Sequence, residues 1–170
     1  MKLSEKIKGK LDQIENERRE IFAEIRKGGG DNSPASVKYK SKLDELYNKQ
    51  RMLELQMHVE RNRELDVGDG CTYYLWSDSY ACTVIKKTKK TITIQRDKAT
   101  LSPDFKPDWI PGGFAAHCTN AEEQEYTYER NPNGEIYVCH WSEKEGRYRT
   151  GSDGSIKIGV GRHEYYDYNF

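Results

Sequence analysis

Residues 3–25 place Leu3, Ile7, Leu11, Ile14, Ile21 and Ile25 at steps of four and three, with Arg18 in one position of the seam. Residues 39–60 repeat the pattern with Tyr39, Leu43, Leu46, Leu53 and Met57, and Gln50 in the seam. This is heptad spacing, which commits both segments to helices that bury one narrow stripe. The intervening GGGDNSPAS, residues 28–36, decides how the stripes meet. Three glycines stop the first helix, and Ser33-Pro34 suits the start of the second. The pattern predicts an antiparallel helical hairpin, a coiled coil with arms of about 25 residues, roughly 40 Å long at 1.5 Å rise per residue. One stripe per helix is little to bury, so pairing into a homodimer or higher even-numbered oligomer is expected, for example as a four-helix bundle. A polar residue in such a seam sets register or oligomer state at some cost in stability. The plainest role for the hairpin is as an oligomerisation handle.

From Val67 the composition changes. Ten of the twelve tyrosines and all three tryptophans lie beyond it. "CTYYLW" and "YACTVIKK" are short apolar runs bounded by SDS, and "KTITIQR" alternates strictly. "EYTYER" and "EIYVCHW" flank NPNG, a turn signal of the hairpin kind. "GRYRTG", "SIKIGVG" and "HEYYDYNF" complete seven or eight strands. Short strands at even spacing predict a compact antiparallel barrel or sandwich. The fold class is therefore α+β: a helical hairpin over residues 1–66 for association, then an antiparallel β domain over residues 67–170 for binding. Trp76 and Trp109 are expected in the core, where large aromatics of a small β domain usually pack. Residues 101–120 hold three of the five prolines and no clear period, the mark of a long ordered loop. In "HEYYDYNF" alternation puts Tyr165, Asp167 and Asn169 on one face and Tyr166, Tyr168 and Phe170 on the other. A docked terminal strand buries one aromatic row, and the second row either completes the core or stays available.

The 28 basic and 28 acidic residues cancel, so no global field draws the chain to nucleic acid or an anionic membrane. Mean hydropathy is −1.00, which implies a small core, and no stretch approaches the roughly 18 apolar residues of a spanning helix. MKLSEKIKGK lacks the apolar run of a signal peptide, and the four cysteines form no disulfide-like framework. Together these predict a cytoplasmic protein with free thiols.

Catalytic motifs are weak. His117-Cys118 and Cys139-His140 invite a zinc reading, but adjacent strand residues face opposite ways, and C-x₂-C or H-x₃-H spacing is missing. No metal or cofactor is expected. There is no G-x-S-x-G, no phosphate loop and no dinucleotide fingerprint, and "IPGGF" reads as a turn. A non-enzyme is the expectation. "KKTKK" at 86–90 is a basic turn between strands, which either solvates a hairpin tip or follows phosphates while exposed aromatics stack single-stranded bases. Single-stranded nucleic-acid binding is thus one alternative. A coiled-coil-tethered inhibitor of a bacterial defence nuclease is another.

Residues 77–120 (SDSYACTVIKKTKKTITIQRDKATLSPDFKPDWIPGGFAAHCTN), 126–151 (YTYERNPNGEIYVCHWSEKEGRYRTG) and the closing GRHEYYDYNF resemble a module of small bacteriophage proteins. The family it resembles is the first-described type of Thoeris anti-defence protein. Such proteins are sponges that bind the cyclic ADP-ribose isomers made by bacterial TIR-domain proteins, and members are implicated with cyclic oligonucleotides. The resemblance spans about residues 67–170 and leaves the hairpin outside. It implies a phage protein acting in the cytoplasm of an infected bacterium, sequestering a cyclic nucleotide without cleaving it. It also implies one basic contact at Lys86 or Lys87, a ring at Trp141 and a C-terminal arginine at Arg162. Phe114, Asn120 and Thr150 are further candidates for ring contact and hydrogen bonding. The rival role for Arg162 is a structural ion pair with Asp167 or Glu164.

Overall fold

The computed structural model describes residues 2–112 and 116–169, so Phe114 and Phe170 lie outside the described residues. The chain parts into two units between Glu64 and Leu65, two residues before the division read from composition. The reason is Leu65, which is buried among the barrel's core side chains.

The first unit is the expected hairpin, of α1 (Leu3–Lys27) and α2 (Pro34–Glu64). Gly29 and Gly30 adopt positive φ, which an L side chain resists, and so make the reversal. Ser33 then caps α2, its Oγ donating to Gly30 O at 2.7 Å and accepting from Ser36 N at 3.3 Å. At the open end Ser4 Oγ donates to Glu64 Oε2 at 2.5 Å, and this bond holds the Glu64 carboxyl below its ordinary range. Ile14, Ile21, Ile25 and Leu46 are buried in the seam, flanked by Phe22, Tyr39, Leu43 and Leu53. The two polar seam residues find each other: Arg18 Nη1 donates to Gln50 Oε1 at 2.5 Å, with the guanidinium 4.1 Å over the Tyr47 ring.

The second unit is a closed barrel of six antiparallel strands: β1 (Gly70–Tyr74), β2 (Ser79–Lys87), β3 (Thr91–Arg96), β8 (Ile136–Ser142), β9 (Arg147–Thr150) and β10 (Ile156–Val160). Each strand pairs with its neighbour along this order, and β1 closes onto β10. Period-2 alternation fills the interior with Cys71, Tyr73, Cys82, Val84, Ile92, Ile94, Cys139, Tyr148 and Ile158. Between β3 and β8 the chain makes an excursion. It contains β4 (Lys98–Leu101) paired with β7 (Tyr126–Glu129), β5 (Trp109–Ile110) paired with β6 (His117–Cys118), and a 3₁₀ turn at Ala121–Glu123. The segment expected as a loop over 101–120 thus carries two short strands.

Four expectations need correction. The NPNG segment does not join a hairpin: β7 pairs with β4, β8 pairs with β3, and the turn is held by Gln95 Nε2 donating to the carbonyls of Pro132 and Gly134. A turn dictates a local reversal, not which strands it brings together. Residues 163–169 are not a strand; they contribute one bridge, Ser79 to Tyr165, and dock through polar side chains and the Tyr168 ring. Asn169 brackets Cys118, accepting from its N–H at 2.7 Å and donating to its carbonyl at 3.1 Å. Trp76 is 99 % exposed and Trp109 is 43 % exposed, so neither is core. Trp76 occupies the β1–β2 turn, where Leu75 N donates to Asp78 O, and a turn tip has no inward face. Trp109 packs edge-on against Tyr168 in an outer cluster of rings.

The C-terminal segment covers the outer face of β1 and β2, which explains why Thr72 and Thr83 are fully buried although their neighbours Cys71, Tyr73, Cys82 and Val84 fill the interior. Thr72 Oγ1 donates to Gly161 O at 2.7 Å, and Glu164 Oε2 accepts from Ala81 N at 2.7 Å. Arg96 pairs with Glu164 at 2.6 Å and lies 3.5 Å over the Tyr80 ring.

Candidate functional site

The β8–β9 ribbon carries a concave surface on the barrel wall. Strand β8 alternates Ile136, Val138 and His140 outward with Cys139 inward, and His140 stands directly opposite Arg149 of β9. The turn after β9, with Gly151 and Gly154 both at positive φ, bends the chain round the outer face. The resulting groove of about 710 Å³ is lined by Val138, His140, Trp141, Arg149, Thr150 and Asp153, among others. Thr150 Oγ1 donates to Val138 O at 2.9 Å, which ties the two strands at the groove floor.

Arg149 is the best-fixed charge here. One Nη pairs with Glu145 and the other donates to Ser155 O at 3.0 Å, so the guanidinium plane is set before any ligand arrives. Asp153, bonded to Ser155, has its carboxyl held below the usual range by that contact. The groove therefore offers a fixed planar cation, an imidazole, an indole edge and one carboxylate. That set suits stacking and hydrogen bonding to a polar planar ligand.

Of the residues singled out in the sequence, the structure brings Trp141 and Thr150 together in this groove. Trp141 is half-buried and meets Tyr148 edge-on at 5.0 Å, so its ring is shared between groove and core. Lys86 and Lys87 separate. The β2–β3 register shifts between Val84 and Lys86, and this bulge turns Lys86 outward beside Thr93 and Val138. Lys87 falls in the row of the buried Ile92 and Cys139. Unbroken alternation from the buried Val84 would have given the reverse. Asn120 is committed to its loop, accepting from Asp108 N at 2.8 Å and donating to Lys106 O at 3.0 Å.

Arg162 lies away from the groove-lining residues. Its Nε donates to Asp97 Oδ2 at 2.8 Å and its Nη2 donates to Thr83 Oγ1 at 2.8 Å. Asp97 is almost fully buried, so the pair is structural in geometry, with Asp97 in place of the Asp167 or Glu164 considered from sequence. Gly70 makes room for it, because a Cβ there would stand 2.7 Å from Arg162 Cγ.

Arg149 and Tyr74 belong to no motif in the sequence, and His140 enters there only beside Cys139 in the zinc reading. Strand alternation marks His140 and Arg149 as outward, but only the β8–β9 register makes them neighbours. Cys71, Cys82, Cys118 and Cys139 are all free and buried. Burial pushes the Cys82 and Cys139 thiols up to about 12 and the Cys71 thiol higher still, so these three stay protonated and poorly nucleophilic. Among the described residues no three His, Cys, Asp or Glu side chains converge to hold a metal ion, and no helix is long and apolar enough to cross a membrane. Comparison of the chain with family models, with curated proteins and with solved structures finds no match.

Proposed function

We propose that this protein is a sponge that captures a cyclic nucleotide signal, a cyclic ADP-ribose isomer or a related cyclic oligonucleotide, and releases it unaltered. The groove between β8 and β9 carries the reading: its volume of about 710 Å³ falls in the range of small-ligand sites, about 300–1,000 Å³. In it the fixed guanidinium of Arg149 and the ring of Trp141 flank the ligand's base and His140 meets its phosphates. Lys86, outside the groove lining but outward in the row of Val138, adds positive charge from the side. Arg162 serves this site only indirectly, by fixing the fold.

The groove is open along one side, and a tight sponge encloses its ligand. A second copy supplies the missing wall, and the hairpin, with Met52 and Leu55 exposed on α2, provides the means of association. The working form is then a homodimer or larger even-numbered oligomer, acting in the cytoplasm of an infected bacterium. Calorimetry with cyclic ADP-ribose isomers and cyclic oligonucleotides is the test. The expected outcome is submicromolar binding of at least one of them, recovery of the intact ligand after heating, and loss of binding in Arg149→Ala with the fold retained. Ligand returned chemically altered, or no binding across the panel, sinks the reading.

A further inference from the structure

Trp76 is the most exposed large apolar side chain among the described residues, at 99 %, and it stands at the tip of the β1–β2 turn. A lone surface ring is ordinary, but this one is not alone. Trp76, Tyr74, Arg149, Ile156 and Lys157 line one groove of about 480 Å³. The Tyr74 ring is held against β10, since a Cβ on Gly159 would fall 2.7 Å from Tyr74 Cε2. Strand register then sets out an ordered path round the barrel wall. Tyr74 pairs with Lys157, Lys157 with Arg149, Arg149 with His140, and His140 with Thr91. Thr91 is next to the basic turn, where Lys89 and Lys90 are exposed. Two exposed rings open this path, and cations follow at successive strands. Glu145 offsets part of the Arg149 charge, and Asp153 stands near enough to feel it, so Lys157 and the Lys89–Lys90 turn carry most of the free positive charge.

We infer that this path binds a single strand of nucleic acid, with unpaired bases stacked on Trp76 and Tyr74 and the phosphates running over Lys157, Arg149 and the Lys89–Lys90 turn. The chemistry is that of sequence-tolerant single-strand binders, in which rings take base faces and a basic track follows the backbone. Four inter-strand steps of about 4.8 Å carry the path over roughly 19 Å. The strand path is independent of the cyclic-nucleotide reading, although the two share Arg149.

Because Trp76 makes so little contact with the fold, Trp76→Ala removes the ring without threatening the barrel, and an unchanged melting curve verifies this. The probes are fluorescent oligo-dT and oligo-rU of about 12 nucleotides and a 12-base-pair duplex, titrated at 50 and 200 mM salt. Expected are binding of both single strands in preference to the duplex, at least fivefold weaker binding in Trp76→Ala, and a shallower salt dependence in Lys157→Glu. Each lost phosphate contact should reduce the log–log salt slope by about 0.7. No single-strand binding at 50 mM salt, equal affinity for duplex, or unchanged affinity in Trp76→Ala overturns the inference. Calorimetry of Trp76→Ala with the cyclic nucleotides separates the two proposals. If cyclic ligands fail while oligo-dT binds through Trp76, the sponge reading falls and the strand path stands.

Discussion

At the residue scale, buried charge and buried sulfur make the sharpest predictions. Loss of Arg162 leaves the buried Asp97 carboxylate with the Thr83 hydroxyl and no paired charge, so Arg162→Ala should destabilise the β unit by about 3 kcal/mol. Urea unfolding monitored by tyrosine and tryptophan fluorescence measures this, and an effect under 1 kcal/mol would show the pair to be solvent-screened. The thiols give a pH dependence of definite sign. Burial raises Cys82 and Cys139 to about 12 in the folded state, against about 8.5 when unfolded. Above about pH 8.5 the unfolded chain therefore releases protons that the folded chain keeps. Stability from these groups is complete only below about pH 8.5 and declines from there to about pH 12. Thermal melts across this range should fall more steeply for the parent than for a Cys82→Ala/Cys139→Ala variant. The charge of Arg162 was legible in the sequence, but its partner was not: Asp97 lies 65 positions away and belongs to no motif.

At the element scale, the hairpin was almost fully readable because heptads and glycines are local signals. Its seam residues 18 and 50 were legible as interruptions, while their mutual bond follows only from the antiparallel register. Gln50→Leu strands the Arg18 guanidinium and should lower hairpin stability by about 1–3 kcal/mol. Arg18→Leu with Gln50→Leu should recover that loss or exceed it, as apolar replacements of part-buried pairs often do. Circular dichroism melts of the two variants decide, and a double variant weaker than the single one would refute the pairing. The barrel strands were readable individually and not in their partnerships. NPNG is a correct turn signal leading to an incorrect pairing, because β8 is claimed by a strand from before the excursion. The bulge between Val84 and Lys86 likewise reverses which lysine faces outward, and nothing in TVIKK announces it.

At the scale of the whole molecule, the two units hold separate apolar clusters, one from Ile14 to Leu53 and one from Leu65 to Ile158. A fragment lacking residues 1–62 should therefore retain a cooperative barrel melt while sedimenting as a smaller species than the full chain. A fragment without a transition would place essential barrel contacts within the hairpin. The candidate groove was only partly foreseen. Trp141 and Thr150 stood out by residue type, but the charges beside them arrive by register across three strands.

The order of the barrel strands also carries a kinetic meaning. The segments β1–β2–β3 and β8–β9–β10 are two consecutive meanders, each able to zip from its own turns. The β1–β10 seam joins Cys71 to Val160 across nearly the whole β unit, so its closure entropy is met only once both halves exist. Of the β1 amides over Cys71–Tyr74, those that donate to β10 should acquire protection last in pulse-labelled refolding and lose it first on unfolding, while those that donate to β2 follow the first meander. The groove strands β8 and β9 pair with each other and not across that seam, so a barrel briefly unzipped there still presents an assembled binding wall.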